Sequence, residues 1–334
     1  MVPGVSPDSG TAPRGGIDLG GTKIQTVVVD ADNKVQGQSR RPTPTTGGPA
    51  DVVREMAAAT REAAAQADLG TRDLAGVGVG SPGDADEKTG VVSDARNLPG
   101  WTGAYPMAEE LSDQLGTPVR IGNDVDVAVR AEFELGAGEA FDTILGIWWG
   151  TGVGGGLILN GKPWIGRGAA GEVGHMVVKR GGARCTCGRR GCMEAYAGRA
   201  AMEIKARKEV NNGAKTDLFK IMEERGRDRL TSGVWARALK HGDDLATRLI
   251  DRAVKALGVG IASAVNLLDP EAVIIGGGLG VRFGEKYVGR IATRMHPHLF
   301  VPDRPPHMHV ATLGDLGGAI GGALLLNDPV PAAS

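Results

Sequence analysis

Residues 17–30 read Ile17-Asp18-Leu19-Gly20-Gly21-Thr22-Lys23-Ile24-Gln25-Thr26-Val27-Val28-Val29-Asp30. Glycines and β-branched residues fill this stretch, and it ends in an apolar run, so it predicts a β-strand. Asp32-Asn33 supplies turn residues, and residues 34–40 can run back as a second strand, so the segment predicts a hairpin. Inside it, Asp18-Leu19-Gly20-Gly21-Thr22-Lys23 gathers a carboxylate, two bare backbone positions, a hydroxyl and an ammonium. Gly15-Gly16 shortens the strand at its start, since glycine weakens a strand interior.

Working outward, residues 51–67 are Ala-rich with Val52, Val53 and Met56 at helical spacing, which predicts a helix. Residues 74–79 and 118–121 read as buried strands, and residues 124–135 as the helix after the second. Residues 143–149 and 157–160 are two strands joined by glycines. Residues 202–241 are charged and helical, and residues 243–268 form a long amphipathic helix. Residues 272–275 are a strand ending in three glycines, residues 307–313 the last strand and residues 316–326 the last helix. Strands alternating with helices place the chain in the α/β class.

Composition excludes several classes. Glycine supplies 54 of 334 residues, against an average of about 7%, yet no Gly-X-Y period supports collagen. The 38 basic and 39 acidic residues leave a net charge of −1, without the basic excess of a nucleic-acid binder. No apolar run approaches the roughly 18 residues of a membrane helix. Residues 1–16 are rich in Pro, Gly and Ser, carry no apolar core and predict a disordered lead-in rather than a secretory signal. A cytoplasmic location is the expectation.

Two segments fit G-x-G-x-x-G, residues 78–83 and 150–155. A dinucleotide site needs a helix directly after such a motif; a turn follows Gly83 and a strand follows Gly156, so neither qualifies. A different geometry suits them better. The Gly20-Gly21 turn and the Gly150-Thr151-Gly152 turn can offer backbone N–H groups to a polyphosphate from two sides. Thr22 and Thr151 add hydroxyls, and Asp18 can position a hydrated Mg²⁺. The plain alternative is two ordinary tight hairpins.

His175, Cys185, Cys187 and Cys192 provide three thiols and an imidazole. An odd number of clustered cysteines argues for a metal rather than a disulfide framework. Four protein ligands close a tetrahedral zinc site and make it structural, although Cys-x-Cys-x₄-Cys differs from the common Cys-x₂-Cys knuckle. The histidines at 241, 296, 298, 307 and 309 join no carboxylate pattern and read as surface or strand-packing residues.

The segments 18–23, 150–156 and 275–278 resemble the phosphate and adenosine motifs of the actin-like sugar kinases. More narrowly, residues 17–326 resemble the ROK family of bacterial sugar kinases and sugar-responsive repressors. The resemblance implies a two-domain actin-like ATPase (ribonuclease H-like) fold with ATP and sugar in the interdomain cleft. It implies nucleotide contacts from Asp18, Gly20, Gly21, Thr22, Lys23, Gly150, Thr151, Gly152, Gly276, Gly277 and Gly278. Gly171-Glu172-Val173-Gly174-His175 with residues 185–194 is similar to the zinc segment of the glucokinase-like members. Asn123-Asp124, after a strand and opening a helix, is open to two readings, a helix cap and a catalytic pair. The resemblance makes Asp124 the general base. It assigns Asn97, Asn123, Asp124, Glu172, His175 and Glu194 to the sugar; the plain reading of Glu172 and Glu194 is solvated surface acid.

Two segments depart from the family pattern: Asp126 stands where Asn is usual, and Trp148-Trp149 replaces smaller residues, which the strand reading packs into the core. The expected domains are residues 17–123 with 315–330, and residues 124–314. The expected activity is a hexokinase using ATP and Mg²⁺, glucose first, in a homodimer or homotetramer with no nucleic-acid or membrane partner. N-acetylmannosamine and N-acetylglucosamine are the alternative sugars, polyphosphate an alternative donor, and a sugar-responsive repressor the rival class.

Overall fold

The computed structural model describes residues 12–327. In chain order the elements are β1 (Arg14–Leu19), β2 (Lys23–Val29), β3 (Val35–Pro42), α1 (Pro49–Gln66), β4 (Val77–Ser81), β5 (Asp84–Asp86), β6 (Val91–Ser93), α2 (Met107–Leu115), β7 (Val119–Asn123) and α3 (Asp124–Leu135). They continue with β8 (Ile144–Trp149), β9 (Val153–Leu159), β10 (Lys162–Pro163), α4 (Glu194–Ala197), α5 (Arg199–Asn211), α6 (Leu218–Glu224), α7 (Ser232–Lys240) and α8 (Asp244–Leu268). Last come β11 (Ala272–Gly276), α9 (Gly277–Met295), β12 (His307–Val310) and α10 (Gly317–Leu324).

Two compact units divide these elements. The first holds residues 12–135, 166–168 and 313–327. Its sheet runs β3-β2-β1-β4-β7, with β1, β2 and β3 antiparallel and β1, β4 and β7 parallel. Ile17, Leu19, Ile24, Val28, Val77 and Val79 share a core with Val52, Val53 and Met56 of α1 and Leu111 of α2. Val27 and Val29 point to the opposite face and pack with Ala319 and Ala323 of α10.

That opposite face explains a set of glycines. A Cβ on Gly16 would stand 1.9 Å from the Ala319 carbonyl oxygen, and one on Gly78 would stand 1.9 Å from that of Gly322. On the helix itself, a Cβ on Gly321 would stand 2.0 Å from the Val127 oxygen of α3. Glycine in β1, β4 and α10 therefore lets backbone meet backbone. Gly15 and Gly16 lie within β1 rather than shortening it. Arg14 opens that strand, and its guanidinium donates to the Asp30 carbonyl (3.1 Å), to Asn33 Oδ1 (2.8 Å) and to Asn327. The expected lead-in is thus corrected at residues 14–16; its residues 1–11 lie outside the described residues. The long strand expected over 17–30 is also two strands, broken at Gly20-Gly21-Thr22.

The second unit holds residues 136–165 and 169–312. Its sheet runs β10-β9-β8-β11-β12, with β8, β9 and β10 antiparallel and β8, β11 and β12 parallel. Leu145, Ile147 and Trp149 of β8 share a core with Leu249, Leu257 and Ile261 of α8 and Leu279 and Phe283 of α9. The boundary expected after residue 123 falls after residue 135, because α3 packs on α10 of the first unit. Helices α2 and α9 add to the elements read from sequence. No helix among the described residues is long and apolar enough to cross a membrane.

Candidate active site

The β1–β2 connection is a glycine turn closed by the Gly20 N–H on the Lys23 carbonyl (2.9 Å). The Thr43 hydroxyl donates to the Gly20 carbonyl (2.6 Å), tying the turn to the end of β3. Asp18 sits just before it on β1. Burial pushes the Asp18 carboxyl up; Asp315 adds to this and Lys23 opposes it. A Cβ on Gly318 would stand 2.9 Å from Asp18 Cγ, so the glycine start of α10 makes the space this carboxyl occupies. Lys23 reaches Asp315 at 3.6 Å, an ion pair whose acid is largely exposed. A Cβ on Gly21 would stand 3.0 Å from the Asn97 carbonyl oxygen and 3.2 Å from its Nδ2. Asn97 therefore lies against the turn; it is exposed, on a loop anchored by buried Leu98 and Trp101. The Trp101 indole N–H donates to the Val92 carbonyl (3.2 Å).

Asn123 ends β7 and Asp124 starts α3. Asn123 Oδ1 accepts from the backbone N–H of Val125 (2.9 Å) and of Asp126 (3.3 Å). Asn123 is thus the cap of α3, the duty that the sequence leaves open between Asn123 and Asp124. Asp124 and Asp126 occupy the first turn, where negative charge suits the helix dipole. Both are half-buried.

In the second unit, the β8–β9 connection is the Gly150-Thr151-Gly152 turn, with the Gly150 N–H on the Gly152 carbonyl (3.0 Å). The first N–H groups of α5 hold it from outside, Arg199 to the Gly150 carbonyl (3.1 Å) and Ala200 to the Thr151 carbonyl (3.0 Å). Glu194 Oε2 accepts from the Val153 N–H (3.0 Å). A Cβ on Gly152 would stand 2.3 Å from that oxygen, so only a bare position admits the carboxylate. Its other oxygen, Oε1, faces the Cys185 thiol (3.6 Å) and the Thr186 hydroxyl (3.3 Å). Glu194 is therefore a bridge between the glycine turn and the cysteine segment, not a solvated surface acid.

His175, Cys185, Cys187 and Cys192 place one donor atom each within 4.8 Å of one another. Two backbone features create this. Cys192 pairs with Val177 across an isolated antiparallel bridge, and the Cys185 N–H donates to the Arg189 carbonyl (2.9 Å). Gly188 and Gly191 have φ of 88° and 87°, which an L side chain resists. His175 Nδ1 lies 3.8 Å from Cys185 Sγ, while its Nε2 faces Glu172 Oε2 at 3.7 Å. The ring thus turns one nitrogen to the thiols and the other to an exposed carboxylate. Burial pushes the Cys185 thiol up to about 12 and the Cys192 thiol up; the Arg189 backbone N–H draws Cys187 down. Among the described residues this is the one group of three or more such donors that could hold a metal. The other histidines stay apart from it. His307 and His309 pack their rings at a tilt against Phe141, and His241, His296 and His298 are exposed.

Gly276-Gly277-Gly278 forms the passage from β11 to α9. A Cβ on Gly150 would stand 3.9 Å from the Gly278 nitrogen, so this edge adjoins the second turn. Gly277 has φ of 76°, and a Cβ there would meet the Trp149 backbone at 2.7 Å. Trp149 is fully buried, with its indole N–H on the Ala197 carbonyl (2.8 Å), as core packing predicts. Trp148 is half-buried, and a Cβ on Gly276 would stand 2.8 Å from its ring. Thr43 and Arg199 are site residues that the sequence does not reveal. They are 23 and 48 positions from their partners, and no motif spacing links them.

Two α/β units with the same sheet order, each with a glycine turn after its first strand, define a two-domain actin-like ATPase fold. The chain matches the ROK family over residues 14–328 and belongs to that family. It is 31% identical over 317 residues to the glucokinase of Thermotoga maritima, covering 94% of this chain and 97% of that one. It is 32% identical over 321 residues to the N-acetyl-D-glucosamine kinase of Pectobacterium atrosepticum, covering 93% and 97%. The solved ROK glucokinase of Streptomyces griseus, in complex with glucose and AMPPNP, superposes with a TM-score of 0.79 at 31% identity, covering 94% and 98%.

Proposed function

We propose that this chain is an ATP-dependent hexokinase that phosphorylates the 6-hydroxyl of glucose. The observation that carries the reading is the division of duties at the β7–α3 junction. Asn123 supplies the helix cap, so the fold does not require the Asp124 carboxylate for that purpose. Asp124 then accepts the proton of the attacking hydroxyl from a position set by rigid backbone. Phosphoryl transfer depends chiefly on positioning and charge neutralisation, with a base for the hydroxyl proton. The two glycine turns offer the N–H groups for the phosphates, and Gly276, Gly277 and Gly278 the seat for the adenosine. Asn97, Asn123, Asp124, Glu172, His175 and Glu194 are the residues assigned to the sugar hydroxyls. The substrates of the Thermotoga and Streptomyces relatives support this assignment.

Mg²⁺ suits Asp18, a carboxylate oxygen donor in a space kept open by Gly318. When bound, it neutralises charge on the phosphates. Zinc suits the His175, Cys185, Cys187 and Cys192 set, whose three thiols and one imidazole would supply all four ligands of a structural ion. It would fix the His175 ring and, through Glu194, the second turn. The cytoplasm, where thiols stay reduced, suits that set, and a homodimer or homotetramer is the assembly to expect, measurable by light scattering.

A coupled assay with ATP and glucose, mannose, fructose, N-acetylglucosamine and N-acetylmannosamine tests the reading; phosphorylation of none of them would overturn it. A second substrate, N-acetylglucosamine, is favoured by the Pectobacterium relative, and the sugar phosphorylated with the highest kcat/KM decides between the two. Polyphosphate in place of ATP tests the donor.

A further inference from the structure

Arg199 opens α5 beside the second glycine turn. Its guanidinium donates to the Thr151 hydroxyl (2.6 Å) and to the Leu230 carbonyl (3.2 Å). Its backbone N–H donates to the Gly150 carbonyl (3.1 Å), so the residue is joined to the turn by main chain and side chain together. Both side-chain partners are neutral. Among the described residues no carboxylate lies within ion-pair distance of this guanidinium, whereas Arg207, on the same helix, pairs with Glu203 (2.7 Å). A guanidinium carries five N–H groups. Two are engaged by Thr151 and Leu230, which leaves three for a ligand. The side chain is partly withdrawn from water; Glu203, beyond ion-pair distance, attracts its charge and Arg229 adds like charge. A half-buried arginine oriented by neutral acceptors, beside a turn of bare backbone, is built for an anion, because a planar fork of donors matches phosphate oxygens.

We propose that Arg199 is a phosphate-binding residue for the nucleoside triphosphate, clamped by Thr151 and Leu230 and presenting its remaining N–H groups to the phosphates at the Gly150-Thr151-Gly152 turn. This rests on the kinase reading, which it deepens by adding a fixed positive charge that the motif residues do not supply. Only Lys23 among the proposed nucleotide contacts is cationic, and Lys23 already faces Asp315.

The test is calorimetric binding of adenosine, ADP and AMPPNP to wild type, Arg199→Ala and Arg199→Lys, with glucose binding and thermal melting alongside. The expected result is a loss that grows with phosphate number: little change for adenosine and about tenfold or more for AMPPNP in Arg199→Ala, the scale of charge-assisted hydrogen bonds. Arg199→Lys keeps the charge, loses the fork and falls between the two. Equal losses for adenosine, ADP and AMPPNP would mean that Arg199 only shapes the turn, and unchanged AMPPNP affinity would mean that it does not touch phosphate; either overturns the proposal. If Arg199→Ala does not fold, the Lys variant carries the same comparison. Wild-type protein that binds AMPPNP but phosphorylates no sugar would fail the kinase reading and leave the Arg199 result standing.

Discussion

The β1–β2 turn and the β8–β9 turn occupy the same place in two sheets of the same strand order, yet they are held in different ways. The first is braced by its own sheet: Gly20 bonds Lys23, and Thr43 at the end of β3 bonds Gly20. The Lys23–Asp315 pair beside it has a largely exposed acid and adds little. The second is braced from remote sequence. Arg199 and Ala200 take its carbonyls, and Glu194 takes the Val153 N–H while its other oxygen meets the Cys185 segment. One topology therefore supports a locally held turn and a turn whose rigidity is linked to a four-donor cluster. The sharper constraint sits in the unit that holds the four-donor cluster.

The largest expected effect separates chemistry from both turns. Asp124→Ala should lower kcat by about 10²–10⁴, the range for a general base, while AMPPNP binding stays near wild type. Turnover close to wild type would remove Asp124 from its role. Next, Cys187→Ser should lose one zinc per chain and raise the KM for sugar about 10–100-fold, the scale for partners that orient a site's ligands. Metal analysis that finds no zinc in the wild-type protein would end the metal reading. The comparison predicts that this variant disturbs the β8–β9 turn and spares the β1–β2 turn, which exchange of the Gly20 and Val153 amide protons would report.

A milder test exchanges glycines. Gly152→Ala must displace Glu194, whose oxygen would stand 2.3 Å from the new carbon, whereas Gly20→Ala needs only a small shift from the Lys23 oxygen at 3.1 Å. Gly152→Ala should cost about 1–3 kcal/mol of stability, as overpacking does, and Gly20→Ala clearly less. Equal melting temperatures would deny that the turns differ. The smallest effect on stability concerns Asp18. Burial raises its folded pKa, so its contribution to stability is full below the unfolded carboxyl value of about 3.9 and falls as pH rises through the folded value. Asp18→Asn should therefore melt slightly higher than wild type at pH 7, converge with it near pH 3, and lose ATP-dependent activity. A lower melting temperature at pH 7 would contradict the assignment of burial as the dominant cause.

Local chemistry carried much of this into the sequence. Residues 124–135 read as a helix to the residue because a cap, an acidic first turn and apolar spacing agree there. The Cys185–Cys192 spacing by itself implies a donor cluster, which the fold assembles. What stayed hidden depends on tertiary approach. Helix α9 begins Gly-Gly-Leu-Gly and holds Gly284 at φ of 60°, so its propensity signal is weak and its packing on the sheet decides. Gly16 reads as a strand breaker until α10 is seen to require its bare Cα. The Glu194–Val153 and Arg199–Thr151 bonds span 41 and 48 residues, beyond any local pattern. The residues proposed for nucleotide and sugar lie in local motifs, while the groups that hold those motifs still do not.

The seat of α10 on β1 and β4 also sets a timetable for biosynthesis. The sheet of the first unit is complete once residue 123 has been made, but the helix that covers Val27 and Val29 starts at residue 317. At roughly 5–20 residues per second, that face waits about 10–40 s on the ribosome. During that interval an apolar strip with glycine-bare edges is open to chaperones or to a neighbouring nascent chain. A chain terminated before residue 317 would never close it, so loss of this short helix should be read out as insolubility in the cell rather than as an altered KM.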